Sequence, residues 1–325
     1  MRRRLVHQKL DQTSAYNRMS WGAHYLRQGF LRDGWELYQA RLEIPGHPSQ
    51  WLPSEAPSWD GIADLAGRRL LVWHEQGFGD IVWMLRFVPR LVALGAHVVL
   101  ALPDPLLRLA RCLPGVAQVI GDGGVFDDVD YHVSLMSLPY LLRVRPNTIP
   151  ATVPYLTPPP ETQEAWRARL GPKTRLRVGL SCSGRANDTR DARRTIPLHM
   201  FVPLLTTHNV DFHLVQNHVR PSDEAALAAL PGLHTHTEAL PDLAEVAALI
   251  LQMDIVVSVC TVAAHLAGAL GVPTWIVLST DAYFLWMEGR TDSPWYPTAR
   301  LFRQSEPDVW PPVIEQMAAE LRTLV

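Results

Sequence analysis

Apolar positions recur at helical spacing between residues 16 and 42, and the spacing changes after residue 69. Tyr16, Met19, Ala23 and Leu26 mark one helical face; Leu31, Trp35, Tyr38 and Leu42 mark another after a break at Gly29. IPGHPSQWLPSEAPSW (44–59), rich in proline and tryptophan, reads as a connector laid over a surface. From Arg69 short apolar runs alternate with helical ones. RLLVW predicts a strand, 80–94 a helix, AHVVLAL a strand, 105–112 a helix, and VAQVI and YHVSL two more strands. The proline-rich stretch 145–161 interrupts this pattern, and its stiffness suits an interdomain linker. The alternation then resumes: RLRVGLSCS, a helix over 197–206, VDFHLVQ, helices over 222–230 and 242–253, DIVVSV, a helix over 261–270, TWIVL, and a last helix over 311–324. Strand and helix in strict turn imply crossover connections and parallel sheets. The expectation is therefore α/β: two doubly wound domains joined by a proline linker, with a ligand cleft between them.

The 325-residue length fits two domains, and a hydrophobic share of 47% against 19% charged is enough for real cores. The net charge is −2 and no stripe of Lys and Arg could track phosphates, so no nucleic-acid partner is expected. Cys112, Cys182 and Cys260 lie far apart, which is neither a disulfide framework nor a zinc spacing and fits a reducing compartment. MRRRLVHQKLDQTS has basic residues with no apolar stretch after them, and no apolar run reaches the ~20 residues of a membrane helix. The sequence thus predicts a cytoplasmic protein with no transmembrane segment.

Three strand ends carry candidate chemistry. At the first, Gln76-Gly77-Phe78-Gly79-Asp80 leads from a buried strand into an apolar helix. The glycines let the backbone approach a ligand closely, and Asp80 reads either as a functional carboxylate or as the N-cap of a helix beginning at Ile81. A dinucleotide fingerprint needs glycine at position 82, where Val82 stands, and an acidic ribose ligand about 20 residues on, where Asp104 comes late. A nicotinamide oxidoreductase is disfavoured. At the second strand end Ser181, Ser183 and Gly184 precede Arg185, Arg190, Arg193 and Arg194, for which a solvated loop is an equal explanation. At the third, Cys260-Thr261 opens a helix whose start attracts phosphate through its N–H groups and dipole. Thr261 as a simple cap and His265 as a hydrogen-bonded core residue are the plain alternatives. FDDVD (126–130) reads as a polar turn, and HTH (234–236) lacks a third metal ligand nearby. Neither a G-x-S-x-G elbow nor a P-loop is present.

LLVWHEQGFGDIVWMLRFVPRL, RRTIPLHMFVPLL, FHLVQ, DIVVSVCTVAAHLAGALGVPTWIVL and DSPWYPTARLFRQ, in this order, resemble bacterial tetratricopeptide-linked glycosyltransferases. That group is related to the heptosyltransferases of glycosyltransferase family 9 and, more distantly, to O-GlcNAc-transferase-like enzymes. LRDGWELYQARL resembles the last repeat before such domains, and Gly22, Tyr25, Gly34 and Tyr38 match one tetratricopeptide unit. About three such units are normally needed to bury a core, so this one packs on the next domain or ends an array. The resemblance implies a GT-B fold of two Rossmann-like domains facing a cleft: a helical segment and connector (1–66), an acceptor domain (67–150), a nucleotide-sugar domain (151–308) and a closing helix (309–325).

In that family the aspartate of the strand-end Gly-Asp is the proposed general base, and Asp80 matches it, with Gln76 to Gly79 admitting the acceptor sugar. Thr261 with the N–H groups of Val262 and Ala263 would hold the donor diphosphate, beside Ser183, Gly184, Cys260 and His265. Gln216 would lie near the nucleotide, and Arg194 or Arg193 would stabilise the leaving diphosphate. The implied partners are a nucleotide-sugar donor, a protein or glycan acceptor, and an oligomer or protein partner through the N-terminal helices. Neither a cofactor nor a metal is implied. The family pattern has Asp-Thr where this chain has Cys260-Thr261, a basic residue where it has Asn217, and Trp-Ala-Gly where it has Ser-Cys-Ser-Gly. A thiol is a weaker acceptor than a carboxylate at a helix start, so a non-catalytic binding or adaptor protein on the same fold is the second reading.

Overall fold

The computed structural model describes residues 14–47, 54–184 and 191–325, so the extreme N-terminus, part of the connector, and Arg185 and Arg190 lie outside the described residues. Helices α1 (Ala15–Arg27) and α2 (Leu31–Tyr38) form an antiparallel pair joined through Gly29, whose φ of 85° suits glycine. A Cβ on Gly22 would lie 2.6 Å from the Tyr38 nitrogen, so this residue must be glycine for the two helices to touch. The pair packs on the rest of the chain through Trp35, which is buried against Trp83 and Phe284.

The first sheet contains β1 (Arg69–Trp73), β2 (His97–Ala101), β3 (Val116–Ile120) and β4 (Tyr131–Ser134), all parallel in the order β3-β2-β1-β4. Its helices are α3 (Phe78–Met84), α4 (Val88–Ala93), α5 (Asp104–Ala110) and α6 (Leu138–Leu141). After α7 (Pro160–Leu170) the second sheet comprises β5 (Leu176–Ser181), β6 (Val210–Leu214), β7 (Leu233–His234), β8 (Ile255–Val259), β9 (Thr274–Leu278) and β10 (Ala299–Arg303). It is parallel too, in the order β10-β9-β8-β5-β6-β7. Its helices are α8 (Asp191–Arg194), α9 (Val202–Leu205), α10 (Pro221–Ala228), α11 (Leu243–Ile250), α12 (Val262–Leu270) and α13 (Pro311–Leu321). Central strands such as β1 and β8 are near-continuous apolar runs because helices cover both faces of a parallel sheet. Among the described residues no helix is long and apolar enough to cross a membrane.

Several elements differ from their sequence reading. The helix expected over 80–94 is α3, a 3₁₀ turn at Leu85–Phe87, and α4. Pro89 at the start of α4 has no N–H to donate to the preceding turn, and the helix is interrupted there. Pro203 divides the segment 197–206 in the same way into a 3₁₀ turn and α9. Helix α7 begins inside the proline-rich stretch, at the residue where a missing N–H costs nothing. Strand β7, at the HTH stretch, is only two residues long, and β10 is not predicted by the sequence pattern because Arg300 interrupts its apolar run and polar residues flank it.

The two sheets are not separated by an empty gap along their whole length. One continuous apolar core runs from Leu70 and Val82 through Ala263 and Leu266 to Trp295 and Tyr296. Where α3 meets α12, a Cβ on Gly79 would lie 2.8 Å from His265 Cδ2, and one on Gly268 would lie 2.4 Å from Tyr296 Cδ1. Arg86 is buried there without a carboxylate at ion-pair distance among the described residues. It lies over the rings of Tyr155, Trp295 and Tyr296 and donates to the carbonyls of Trp83, Pro150 and Trp295. Helix α13 packs on the second sheet through Val313, Ile314 and Met317.

Candidate functional site

In an open parallel sheet, ligands bind beyond the carboxyl ends of the strands where the strand order reverses. The first sheet reverses at β1, which lies between β2 and β4; the second reverses at β5, which lies between β6 and β8. The chain leaving β1 and the chains leaving β5, β6, β8 and β9 line one cavity of about 880 Å³. That is within the usual range for small-molecule sites. The residues to which the resemblance assigns roles line it: Gln76, Gly77, Phe78, Gly79 and Asp80 on one side, and Ser183, Gly184, Arg193, Arg194, Gln216, Cys260, Thr261, Val262, Ala263 and His265 on the other.

The details alter several of the roles. Helix α3 starts at Phe78 with Gly77 as N-cap, and the Ile81 N–H donates to the Gly77 carbonyl at 3.0 Å. Asp80 is therefore not the N-cap. It sits half-buried in the first turn, where the helix dipole favours a carboxylate. Gly79 faces His265, so its lack of a side chain has a packing reason independent of any ligand. We predict that Gly79→Val destabilises the fold by about 1–3 kcal/mol, read as a lower urea midpoint, because overpacking a helix contact forces backbone shifts.

Thr261 is the N-cap of α12, but its hydroxyl caps nothing in that helix. It is shared with Ser258 at 3.1 Å and Ser181 at 3.2 Å, while its N–H donates to the Val259 carbonyl at 2.7 Å. The first-turn N–H groups of Val262 and Ala263 are those a helix start turns toward an anion. Cys260 accepts a hydrogen bond at Sγ from Trp286 Nε1 (3.1 Å), and its carbonyl accepts from Arg194 Nη1 (3.2 Å). Gln216 accepts at Oε1 from the N–H groups of Cys182 (2.9 Å) and Ser183 (3.3 Å) and donates to the His218 carbonyl. It holds the chain leaving β5 in place. Arg193 pairs with Asp281 at 2.8 Å.

His265 is buried and shares a hydrogen bond at Nδ1 with the Tyr296 hydroxyl (2.9 Å). Burial first, then the charges of Arg86 and Arg194, push its pKa down to about 3, so it is a neutral packing residue at ordinary pH. His213 and His236 are pushed down to about 3 and about 4, again mainly by burial. Their rings stack, and His213 also stacks on His234, so HTH finds its third imidazole on β6. Even so, no group of metal-ligating side chains is found among the described residues. All three shifted pKa values lie below the unfolded value near 6.5, so the unfolded chain takes up protons first as pH falls. Stability should be intact above pH 6.5 and decline toward the folded values. For His265 alone the loss by pH 5 is roughly 2 kcal/mol. Urea unfolding at pH 7 and pH 5 measures it; His265→Asn should flatten that part of the profile.

Sequence reasoning missed the third wall. Met19, Ser20, Ala23 and Arg27 of α1, Tyr38 of α2, and His47 also line the cavity. Gln76 bridges the parts of the molecule, donating to the Tyr38 hydroxyl (2.9 Å) and accepting from the Tyr283 hydroxyl (3.1 Å). Next to it Glu75 is buried and paired with Arg41 at 2.6 Å. His74 faces Asp122 at 3.0 Å. The only signal for this wall was the polar run His74-Glu75-Gln76 directly after a buried strand.

No family model matches the chain. Protein FlbA of Caulobacter vibrioides is 28% identical over 339 residues, covering 91% of this chain and 53% of that protein. The chain thus spans about half the length of the curated relative it matches. Among solved structures, the glycosyl transferase family 9 protein of Veillonella parvula superposes with a TM-score of 0.57 at 11% identity, covering 75% of this chain and 88% of that one. The E. coli ADP-heptose lps heptosyltransferase II gives 0.56 at 13%, covering 79% and 99%. The iron-containing dodecameric glycosyltransferase TibC of enterotoxigenic E. coli gives 0.52 at 12%, covering 81% and 79%. The chain has a glycosyltransferase-family-9-like fold. At these identities the likeness concerns the fold, and the chemistry must be argued from the cavity itself.

Proposed function

We propose that this protein transfers a sugar from a nucleotide-diphosphate sugar to a hydroxyl of a protein or glycan, on a GT-B arrangement of two Rossmann-like domains. The observation that carries the reading is the convergence of Asp80, the start of α12 and the adjacent Arg193 and Arg194 on a single cavity at two strand-order reversals. Asp80, on the α3 side, is the general base that takes the acceptor's proton. Across the cavity the N–H groups of Val262 and Ala263 hold the donor diphosphate. Arg194, anchored on the Cys260 carbonyl at the start of α12, stabilises the charge that develops on it. The reading needs no metal. The helical segment 1–66 would be the tetratricopeptide-like part, 67–150 the acceptor domain and 151–308 the donor domain, in a cytoplasmic protein that meets oligomer or protein partners through its N-terminal helices.

A thermal-shift screen against UDP-, GDP-, ADP-, CMP- and dTDP-sugars tests the reading. A ligand at a hundred times its dissociation constant adds about 2.7 kcal/mol of apparent stability. No shift with any of them would remove the donor half of the proposal.

One observation favours a second reading, a binding or adaptor protein without turnover. The Cys260 thiol is engaged by the Trp286 N–H in the place where the family pattern has a carboxylate. Cys260→Asp discriminates between the two readings. A carboxylate can accept the same Trp286 N–H, so the variant should fold, and in a transferase it should keep or raise turnover. If neither it nor the wild type responds to any nucleotide sugar, the adaptor reading stands.

A further inference from the structure

Beside the donor wall, one carboxylate is shared by two arginines from opposite parts of the chain. Asp281, in the segment leaving β9, lies with Oδ2 at 2.8 Å from Arg193 Nη1 and Oδ1 at 3.1 Å from Arg27 Nη1. All three residues line the cavity. Arg27 closes α1, and its backbone is fixed toward the second sheet's loops because the Glu288 N–H donates to its carbonyl at 2.8 Å. Arg194, next in the chain to Arg193, already touches the start of α12. A row of charged side chains therefore leads from the α12 start, through Arg194 and Arg193, to Asp281 and Arg27, whose Nε also lies 3.8 Å from Glu288 Oε1.

Charge and exposure decide what such a row can do. The Arg193, Asp281 and Arg27 side chains are 70%, 51% and 32% exposed. Half-exposed ion pairs contribute little to stability, so this bridge is a poor candidate for a structural fastener. A diphosphate offers more acceptor oxygens and more charge than one carboxylate, and arginine pairs with it through two parallel N–H bonds. We propose that Arg27, supplied by the N-terminal helix, is a diphosphate ligand of this cavity, and that Asp281 is an internal anion occupying Arg27 and Arg193 until a diphosphate displaces it. The proposal rests on the donor reading above and extends it: the helical segment becomes part of the donor site.

A structural bridge and an internal competitor predict different signs. Loss of a bridge by either partner would weaken the site in the same direction. Loss of a competitor should tighten it. Binding of inorganic pyrophosphate, and of whichever nucleotide sugar the screen finds, is measured by calorimetry on the full chain for the wild type, Arg27→Gln, Arg27→Lys and Asp281→Asn. Arg27→Gln should weaken both ligands about tenfold, the scale of one charge-assisted hydrogen bond. Arg27→Lys, which keeps the charge, should recover part of the loss, and Asp281→Asn should bind about tenfold tighter than the wild type. Unchanged or weaker binding by Asp281→Asn, or unchanged binding by Arg27→Gln, overturns the proposal while leaving the donor reading in place. A wild type that binds neither pyrophosphate nor any nucleotide sugar fails the donor reading itself, and this inference with it.

Discussion

Replacing Asp80 with asparagine should lower sugar transfer in single-turnover assays by about 10²-fold or more, the usual contribution of a general base, while the fold and donor binding stay near wild type. Asparagine has the same shape, and Asp80 is only half-buried, so the cavity keeps its outline. The helix would lose a first-turn carboxylate, worth about 0.3–1 kcal/mol. The groups proposed to hold the donor come from the loops of the second sheet and from Arg27 of α1, none of them from α3, so the donor-induced thermal shift should persist. Other acid–base groups near the cavity are engaged, His74 facing Asp122 at 3.0 Å. Glu75 is buried in an ion pair with Arg41, and His265 is neutral and bonded to Tyr296. Near-normal transfer by the variant would reduce Asp80 to a helix-dipole partner.

What could be read from the chain follows from how far each signal reaches. Buried parallel strands are continuous apolar runs, so β1, β2, β5, β6, β8 and β9 stood out locally, and α/β topology then pointed to their carboxyl ends. The residues that line the cavity from those ends were legible for that reason. The N-terminal wall was not. Arg27 meets Asp281, and Gln76 meets Tyr283, across more than 200 positions of sequence, and nothing local to either residue announces its partner. Gly79 shows the opposite error. A glycine at a strand end suggested room for a ligand, whereas the space is taken by His265 on a helix of the other sheet. Local chemistry identified the position, and tertiary packing supplied its reason.

The largest stability effect is expected where that wall is fastened. Arg41, in the 3₁₀ turn after α2, donates through Nε at 2.9 Å and Nη2 at 2.6 Å to the two oxygens of Glu75, and through Nη2 to Ser137 Oγ at 2.8 Å. The Ser134 hydroxyl also donates to Glu75. Neither charged side chain has any exposed surface. Removing one partner leaves the other charge buried and uncompensated, which costs about 3–5 kcal/mol. Arg41→Met should therefore unfold at a much lower urea concentration. The double variant Arg41→Met, Glu75→Met should recover most of the loss, because a well-packed apolar pair of similar volume is often no worse than a buried ion pair. A cost below about 1 kcal/mol for Arg41→Met would mean that water reaches Glu75. Glu75 immediately precedes Gln76, which bonds to both Tyr38 and Tyr283. If the ion pair specifies how the helical segment is seated, the stable double variant should still bind the donor less tightly than wild type; if it supplies stability alone, donor binding should return with the fold.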